Sequence, residues 1–297
     1  MSTAQIDTMD NLGRTPLYWA ASRGDKDAVR VLLDFGAQCN TKKVAKGGSP
    51  LLAAAKTANE DIVRCLLEHG ADIAVRCDES RTALHWASLV EAGLACVKLL
   101  LAAGADPNCG DDENRTPLHF AAQNGCIDNV QRLLEAGAHI DGLCEDGWTP
   151  LACCVFWNMH ESIKMLLGCG ADTSIKTEPG ESILHLAAQY ADLPTLEILA
   201  QHELSPLLDA EAKTVAGMAA HRFAEEREES AAWNATFEHL LATVRMQRQP
   251  RHDEEELKLV RQGQEKRRSG VRDRVEQMHN DASDSEDFED AVETFGA

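Results

Sequence analysis

The sequence predicts an all-α solenoid of short helix–turn–helix repeats followed by a charged, unfolded tail. Three observations carry that reading. A hydroxyl residue two places ahead of a Leu recurs at a nearly fixed interval. A Gly-Ala pair recurs in the same register. The composition favours packed helices: 44 % of the 297 residues are hydrophobic, yet only 5 % are aromatic, so Ala and Leu carry the apolar content.

The first marker reads Thr15-Pro16-Leu17, Ser49-Pro50-Leu51, Thr82-Ala83-Leu84, Thr116-Pro117-Leu118, Thr149-Pro150-Leu151 and Ser182-Ile183-Leu184, with steps of 34, 33, 34, 33 and 33 residues. The second falls at Gly36, Gly70, Gly104, Gly137 and Gly170, 21 residues after the hydroxyl, or 22 in the third repeat. Each has a physical role. Ser or Thr caps a helix start, and Pro is tolerated in the first turn. The Ala pairs (Ala20-Ala21, Ala54-Ala55, Ala121-Ala122, Ala187-Ala188) let neighbouring helices approach closely. A second helix carries Val-x-x-Leu-Leu, as at Val29, Leu32 and Leu33. Gly ends it in the left-handed conformation. About twelve residues rich in Asp, Asn and Gly then form an outstretched turn.

This pattern resembles the ankyrin repeat, a 33-residue unit opened by Thr-Pro-Leu-His. Thr116-Pro117-Leu118-His119-Phe120-Ala121-Ala122 is its fullest copy here, and the resemblance covers residues 10–206. It implies repeats near 10–43, 44–76, 77–110, 111–143, 144–176 and 177–208. A degenerate cap follows over 209–247, opening at Thr214-Val215-Ala216 and lengthened by the polar run Glu225-Glu226-Arg227-Glu228-Glu229. No repeat buries its faces alone, so each stabilises its neighbours. The resemblance also assigns His85, His119 and His185 to hydrogen bonds with adjacent turns, and Asn40 and Asn108 to turn stabilisation.

Composition bounds the function. A net charge of −20 repels phosphate backbones, so nucleic acid is not an expected partner. The ten cysteines form no Cys-x-x-Cys pair, so no metal site is expected. Cys153-Cys154 reads as core packing, with redox sensing the alternative. The N-terminus shows no signal-peptide pattern and no apolar run spans a bilayer. A reducing compartment, cytoplasm or nucleus, fits both. Without a phosphate loop or a nucleophile–base pair outside the scaffold, neither enzyme activity nor a cofactor is expected.

The resemblance implies that a polypeptide partner is held on the concave face, with the chain a monomer. Counted from each capping Thr or Ser, that face comprises the residues four, three and one before it and seven and eight after it. Repeats one and two place Arg14, Arg23, Lys46 and Lys56 there, with Lys42 and Lys43 in the turn between them. Repeats three to six reverse the sign, with Asp78, Glu79, Asp112, Glu113, Glu145, Asp146, Glu178 and Glu181. Inside that rim fall Leu89, Val90, Trp148, Phe156, Trp157 and Tyr190. Aromatic anchors in a charged rim are usual interface anatomy. The expected ligand is a peptide or domain with apolar anchors and flanking basic residues, lying across repeats three to six. The alternative is that Phe156 and Trp157 turn inward to fill space beside Ala152 and Cys153.

After Gln249-Pro250 the composition shifts. Residues 248–280 read as a charged linker or solvated helix, with Lys266-Arg267-Arg268 as a candidate nuclear-import signal. Residues 281–297 carry seven acids and no Lys or Arg, and read as a disordered tail. Within it, Asp287-Phe288-Glu289-Asp290-Ala291-Val292-Glu293 resembles the FFAT motif, which binds VAMP-associated proteins on the endoplasmic reticulum. The resemblance implies that Phe288 enters an apolar pocket and Ala291 a small one. Asp287 stands for the motif's Glu, Glu289 for its second Phe, and Asp290 and Glu293 meet basic groups. Ser283 and Ser285, set among acids, are candidate phosphorylation sites. Together these features predict a non-enzymatic adaptor. The alternative is an assembly chaperone or inhibitor that masks a basic surface, for which the tail is irrelevant.

Overall fold

The computed structural model describes residues 6–40, 49–177, 180–202, 204 and 230–245. Thirteen α-helices and one 3₁₀ turn occupy these residues, and no strand is found among them. Six pairs make the repeats: α1 Pro16–Ser22 with α2 Lys26–Asp34, α3 Pro50–Lys56 with α4 Glu60–Glu68, and α5 Ala83–Leu89 with α6 Leu94–Ala102. They continue with α7 Pro117–Gln123 and α8 Ile127–Glu135, α9 Pro150–Trp157 and α10 His160–Gly168, and α11 Ile183–Tyr190 and α12 Leu193–Gln201. A longer helix, α13 Ser230–Arg245, follows.

The repeated residues form these helices for the reasons their chemistry dictates. Thr15, Ser49 and Thr149 sit at N-caps in extended backbone and accept hydrogen bonds from the N–H of Tyr18, Leu52 and Ala152. Thr82, Thr116 and Ser182 build a reciprocal cap with His85, His119 and His185. The hydroxyl accepts from the His backbone N–H, and the His ring nitrogen accepts from the cap's own N–H. The second helices of repeats one to five each end at a marker glycine, with φ between +77° and +94°, a region a side chain at Cβ disfavours, whereas the second helix of repeat six ends at His202 in extended backbone.

Stacking buries the core. The inner helices α1, α3, α5, α7, α9 and α11 each pack on the next, as do the outer helices α2, α4, α6, α8, α10 and α12. Leu17, Leu51, Leu84, Leu118, Leu151 and Leu184 are essentially solvent-free, as are Ala21, Ala54, Ala121 and Ala187. That alternation of one branched and one small side chain per turn brings neighbouring helices close.

Repeat three holds its extra residue in a 3₁₀ turn, Glu91–Gly93. A Cβ at Gly93 would lie 2.0 Å from the Ala87 carbonyl oxygen, so this passage admits glycine alone. The carbonyls released at the end of α5 are held from the next repeat. Buried Asn129 donates to Val90 O at 2.9 Å and Ser88 O at 3.2 Å. In repeat five the equivalent turn is Asn158, left-handed at φ +56°. Its amide donates to Tyr190 O, and its carbonyl accepts from Asp192 N–H and the Thr195 hydroxyl, each at 2.9 Å.

Helix α13 packs on α12 through a buried stripe of Trp233, Phe237, Leu240, Leu241 and Val244, at the spacing of a single helical face. Trp233 stacks on Phe237 with centroids 5.1 Å apart, and its indole N–H donates to Ala191 O at 3.0 Å. The repeat array is thus closed by an apolar helix face. The proposed cap opening at Thr214 and the polar run 225–229 lie outside the described residues. So do Lys42, Lys43, Lys46, Glu178, the linker at 248–280 and the tail at 281–297.

Candidate protein-interaction surface

The fingers are joined by two ladders. At one level, Asn40 donates to Gly70 O (2.8 Å) and accepts from Asp72 N–H (2.8 Å). Asn108 repeats this with Gly137 O (3.0 Å) and His139 N–H (2.7 Å). At the other, the His85 and His119 Nε2–H groups donate to Arg115 O (3.0 Å) and Trp148 O (3.1 Å). Both rings are buried, and desolvation holds their pKa down at about 4. These histidines are neutral struts, with both ring nitrogens engaged by the scaffold. Cys154 is buried and Cys153 half-buried. Desolvation raises both thiols, which disfavours the reactive thiolate.

On this frame the structure brings four of the expected anchors together. Phe156 stands at the centre, with centroids 5.4 Å from Trp148, 5.2 Å from Trp157 and 4.4 Å from Tyr190. The two tryptophans meet it near-perpendicular, the arrangement that aromatic quadrupoles favour. All four side chains are half-buried. The inward and outward alternatives for Phe156 and Trp157 therefore merge: each ring packs on its neighbours and keeps a part in solvent. Leu89 and Val90 are half-buried as well, at the end of α5 two repeats away.

The acids divide into two groups. Asp78, Asp112 and Glu145 are exposed, and Asp146 and Glu181 half-buried. Backbone bonds tie the fingers together, from Asp112 N–H to Glu79 O (3.1 Å) and from Glu145 N–H to Glu113 O (2.8 Å). Glu79 and Glu113 pair within the chain, with Arg81 at 2.8 Å and Arg115 at 3.1 Å, while their side chains stay 44 % and 42 % exposed. The reversal of sign after repeat two is accordingly incomplete. The residue directly before the cap lies beneath its finger, and in repeats three and four it is arginine.

Those arginines belong to features absent from the expected set. Asp111, whose side chain is 1 % exposed, bridges both. It accepts from Arg115 Nε and Nη2 at 3.0 and 2.9 Å and from Arg81 Nε at 3.5 Å. Its other oxygen accepts from Glu113 and Arg115 N–H. Burial works to raise the Asp111 carboxyl, but the Arg115 hydrogen bonds and the charges of Arg115 and Arg81 outweigh it. The group titrates below the ordinary carboxylate value. Above this network lies a second aromatic row, four residues after the caps: Trp19, Trp86 and Phe120. Arginine or lysine covers each. Arg14 lies 4.1 Å from the Trp19 centroid, Lys56 and Arg81 lie 5.1 and 5.3 Å from Trp86, and Arg81 and Arg115 lie 5.2 and 5.1 Å from Phe120.

The ankyrin-repeat model matches in three copies, over residues 2–77, 36–111 and 84–177. The chain belongs to the ankyrin-repeat family. Two curated proteins share shorter stretches with it. A 43-residue segment is 56 % identical to palmitoyltransferase AKR1 of Naumovozyma castellii and covers 14 % of this chain and 5 % of that protein. A 69-residue segment is 39 % identical to the human 2-5A-dependent ribonuclease, covering 23 % of this chain and 9 % of that protein. Both stretches are one or two ankyrin repeats long, so they reflect shared repeats. Ankyrin membership supports a role in protein interaction. Among the described residues, no cluster of His, Cys, Asp and Glu could hold a metal ion, and no helix is long and apolar enough to cross a membrane.

One other exposed apolar feature was not anticipated. Val31 and Phe35, one turn apart at the end of α2, are 52 % and 68 % exposed. They stand on an outer helix, away from the concave row.

Proposed function

We propose that this ankyrin-repeat protein is a non-enzymatic adaptor whose concave face holds a polypeptide across repeats three to six. One observation carries the reading: Trp148, Phe156, Trp157 and Tyr190 form a single half-buried aromatic cluster, flanked by exposed Glu145. Rigid aromatic groups that retain solvent-accessible area, backed by a packed scaffold, have the character of binding hot spots. Leu89 and Val90 supply a second apolar ledge. Exposed Asp78 and Asp112 stand on the fingers of repeats three and four, so a segment with apolar anchors and basic flanks is complementary to this face.

The tail gives the adaptor its second contact. The FFAT-like stretch Asp287, Phe288, Asp290, Ala291 and Glu293 would engage a VAMP-associated protein and tether the chain to the endoplasmic-reticulum surface. The competing reading is a chaperone or inhibitor that masks a basic surface with the acidic face alone. The net charge of −20 favours it, and it makes the tail dispensable.

Affinity capture from lysate separates these readings. The baits are the full chain, its Trp148→Ala/Trp157→Ala variant, a chain ending at Gln249, and the Phe288→Ala variant. The adaptor predicts that the double variant loses one set of partners about thirtyfold or more, as expected for removal of hot-spot rings (about 2 kcal/mol or more), with its melting temperature preserved within a few degrees. The last two baits would lose a VAMP-associated protein and keep the first set. Retention of every partner by the double variant would end the concave-face reading. An unchanged yield from Phe288→Ala would end the tether.

A further inference from the structure

The aromatic row of the concave face changes character between repeats four and five. In repeats one, three and four a ring lies four residues after the cap, and an arginine directly before the cap lies over it: Arg14 on Trp19, Arg81 on Trp86 and Arg115 on Phe120. In repeats three and four that arginine also meets an acid two residues earlier, Glu79 or Glu113. The chain thus supplies its own sequence of ring, cation and carboxylate, a combination in which the ring's negative face and the anion both favour the cation.

Repeat five keeps the acids of its finger, Glu145 and Asp146, but puts Trp148 where the arginine stood and Cys153 where the ring stood. Repeat six puts Glu181 in the arginine's place. Ring area rises, and the position directly before the cap holds no further arginine. Among the described residues no Lys or Arg lies over Trp148 or Phe156, in contrast to the covered rings of the earlier repeats. Trp148 is half-buried and Glu145 exposed on the same turn, closed by the Cys144 N–H to Trp148 O bond at 3.1 Å.

We infer that repeats five and six bind an arginine or lysine side chain of the partner against Trp148 and beside the exposed Glu145 carboxylate, so that the partner supplies the cation of a ring, cation and carboxylate set that repeats three and four build from their own residues. Arginine is the favoured residue, because a planar guanidinium stacks on a ring while donating to a carboxylate. This inference rests on the concave-face reading and adds to it the identity of the side chain that is read.

The test is a selection from a displayed library of random 12-residue peptides on the immobilised full chain. The best binder is then synthesised with its arginine intact or replaced by citrulline, which keeps the shape and removes the charge. Both peptides are titrated against the wild type, Trp148→Ala, Trp148→Arg and Trp157→Ala, with thermal melts confirming that each variant folds. The expected results are enrichment of Arg or Lys, a citrulline penalty of about tenfold on the wild type, and disappearance of that penalty in Trp148→Ala. Trp148→Arg, which installs the chain's own cation at the site, should bind more weakly still. A peptide that depends on Trp157 but is indifferent to citrulline would overturn the cation inference and leave the concave-face reading intact. Selection of no peptide that depends on Trp148 or Trp157 would overturn both.

Discussion

Asp111→Ala should destabilise the protein by about 3–4 kcal/mol, more than any single surface change. Removing one member of a buried ionic network leaves its partners desolvated and uncompensated, and such losses run to about 3–5 kcal/mol. Here one carboxylate, 1 % exposed, serves Arg81 and Arg115, whose side chains are 11 % and 8 % exposed. Glu79 and Glu113 remain to neutralise each arginine in part, which places the expected cost toward the lower end. The same side chain also accepts two backbone N–H bonds that shape the finger. Asp111→Asn keeps an acceptor for those N–H groups but turns an NH2 donor toward the two guanidiniums in place of the second oxygen, so it should cost nearly as much. Urea unfolding followed by circular dichroism measures both. A loss below about 1 kcal/mol for Asp111→Ala would mean that the arginines find sufficient partners elsewhere. The consequence reaches the candidate interaction face, because these arginines cover Trp86 and Phe120.

Acidification should weaken the fold steeply between pH 6.5 and pH 4. In the unfolded chain, His85 and His119 take up a proton near pH 6.5. In the folded chain desolvation keeps each neutral down to about pH 4. As pH falls through that window the unfolded state binds protons that the native state refuses, so stability present at neutral pH is lost. Each unit of separation is worth about 1.4 kcal/mol, which gives about 3 kcal/mol for each histidine across the window. Asp111 acts in the same direction at lower pH. Its stabilisation is complete above the ordinary carboxylate range and is lost as its depressed folded value is reached. Unfolding free energies at pH 7.5, 6.0 and 4.5 should therefore fall with a slope approaching two protons. His119→Gln should lower stability at pH 7.5 and flatten that slope by about one proton. An unchanged slope in the variant would show that His119 is not held neutral by its burial.

The architecture is legible because each marker residue does a job that few others can do. Caps, first-turn prolines and left-handed glycines are local devices, and they set the helix boundaries directly. The extra residue of repeat three is visible as a 22-residue spacing, but its accommodation depends on distant Asn129 and the space beside Ala87. The four aromatic anchors are readable from register alone, since register decides which face a helical residue occupies. Their packing around Phe156 is not, because Phe156 and Trp157 could equally have turned inward beside Ala152 and Cys153. Arg81 and Arg115 escape a reading by net sign: each stands beside a more conspicuous Glu, and only the column of residues preceding each cap, compared across repeats, exposes the pattern. Asp111 escapes for a related reason, since burial and not composition makes it a hub. The packing face of α13 is legible as a Trp233, Phe237, Leu240, Leu241 and Val244 stripe once that helix is set apart from the polar run before it.

Site-specific photo-crosslinking tests the central claim most directly. Benzoylphenylalanine in place of Phe156 samples the concave aromatic cluster, and in place of Phe35, which is 68 % exposed on the outer helix of repeat one, it samples the opposite side. Illumination in cells, followed by purification and mass spectrometry, should yield a partner polypeptide attached at position 156, with the same partner absent at position 35. Attachment of that partner at position 35 and not at 156 would contradict the account and move the interaction surface to the outer helices.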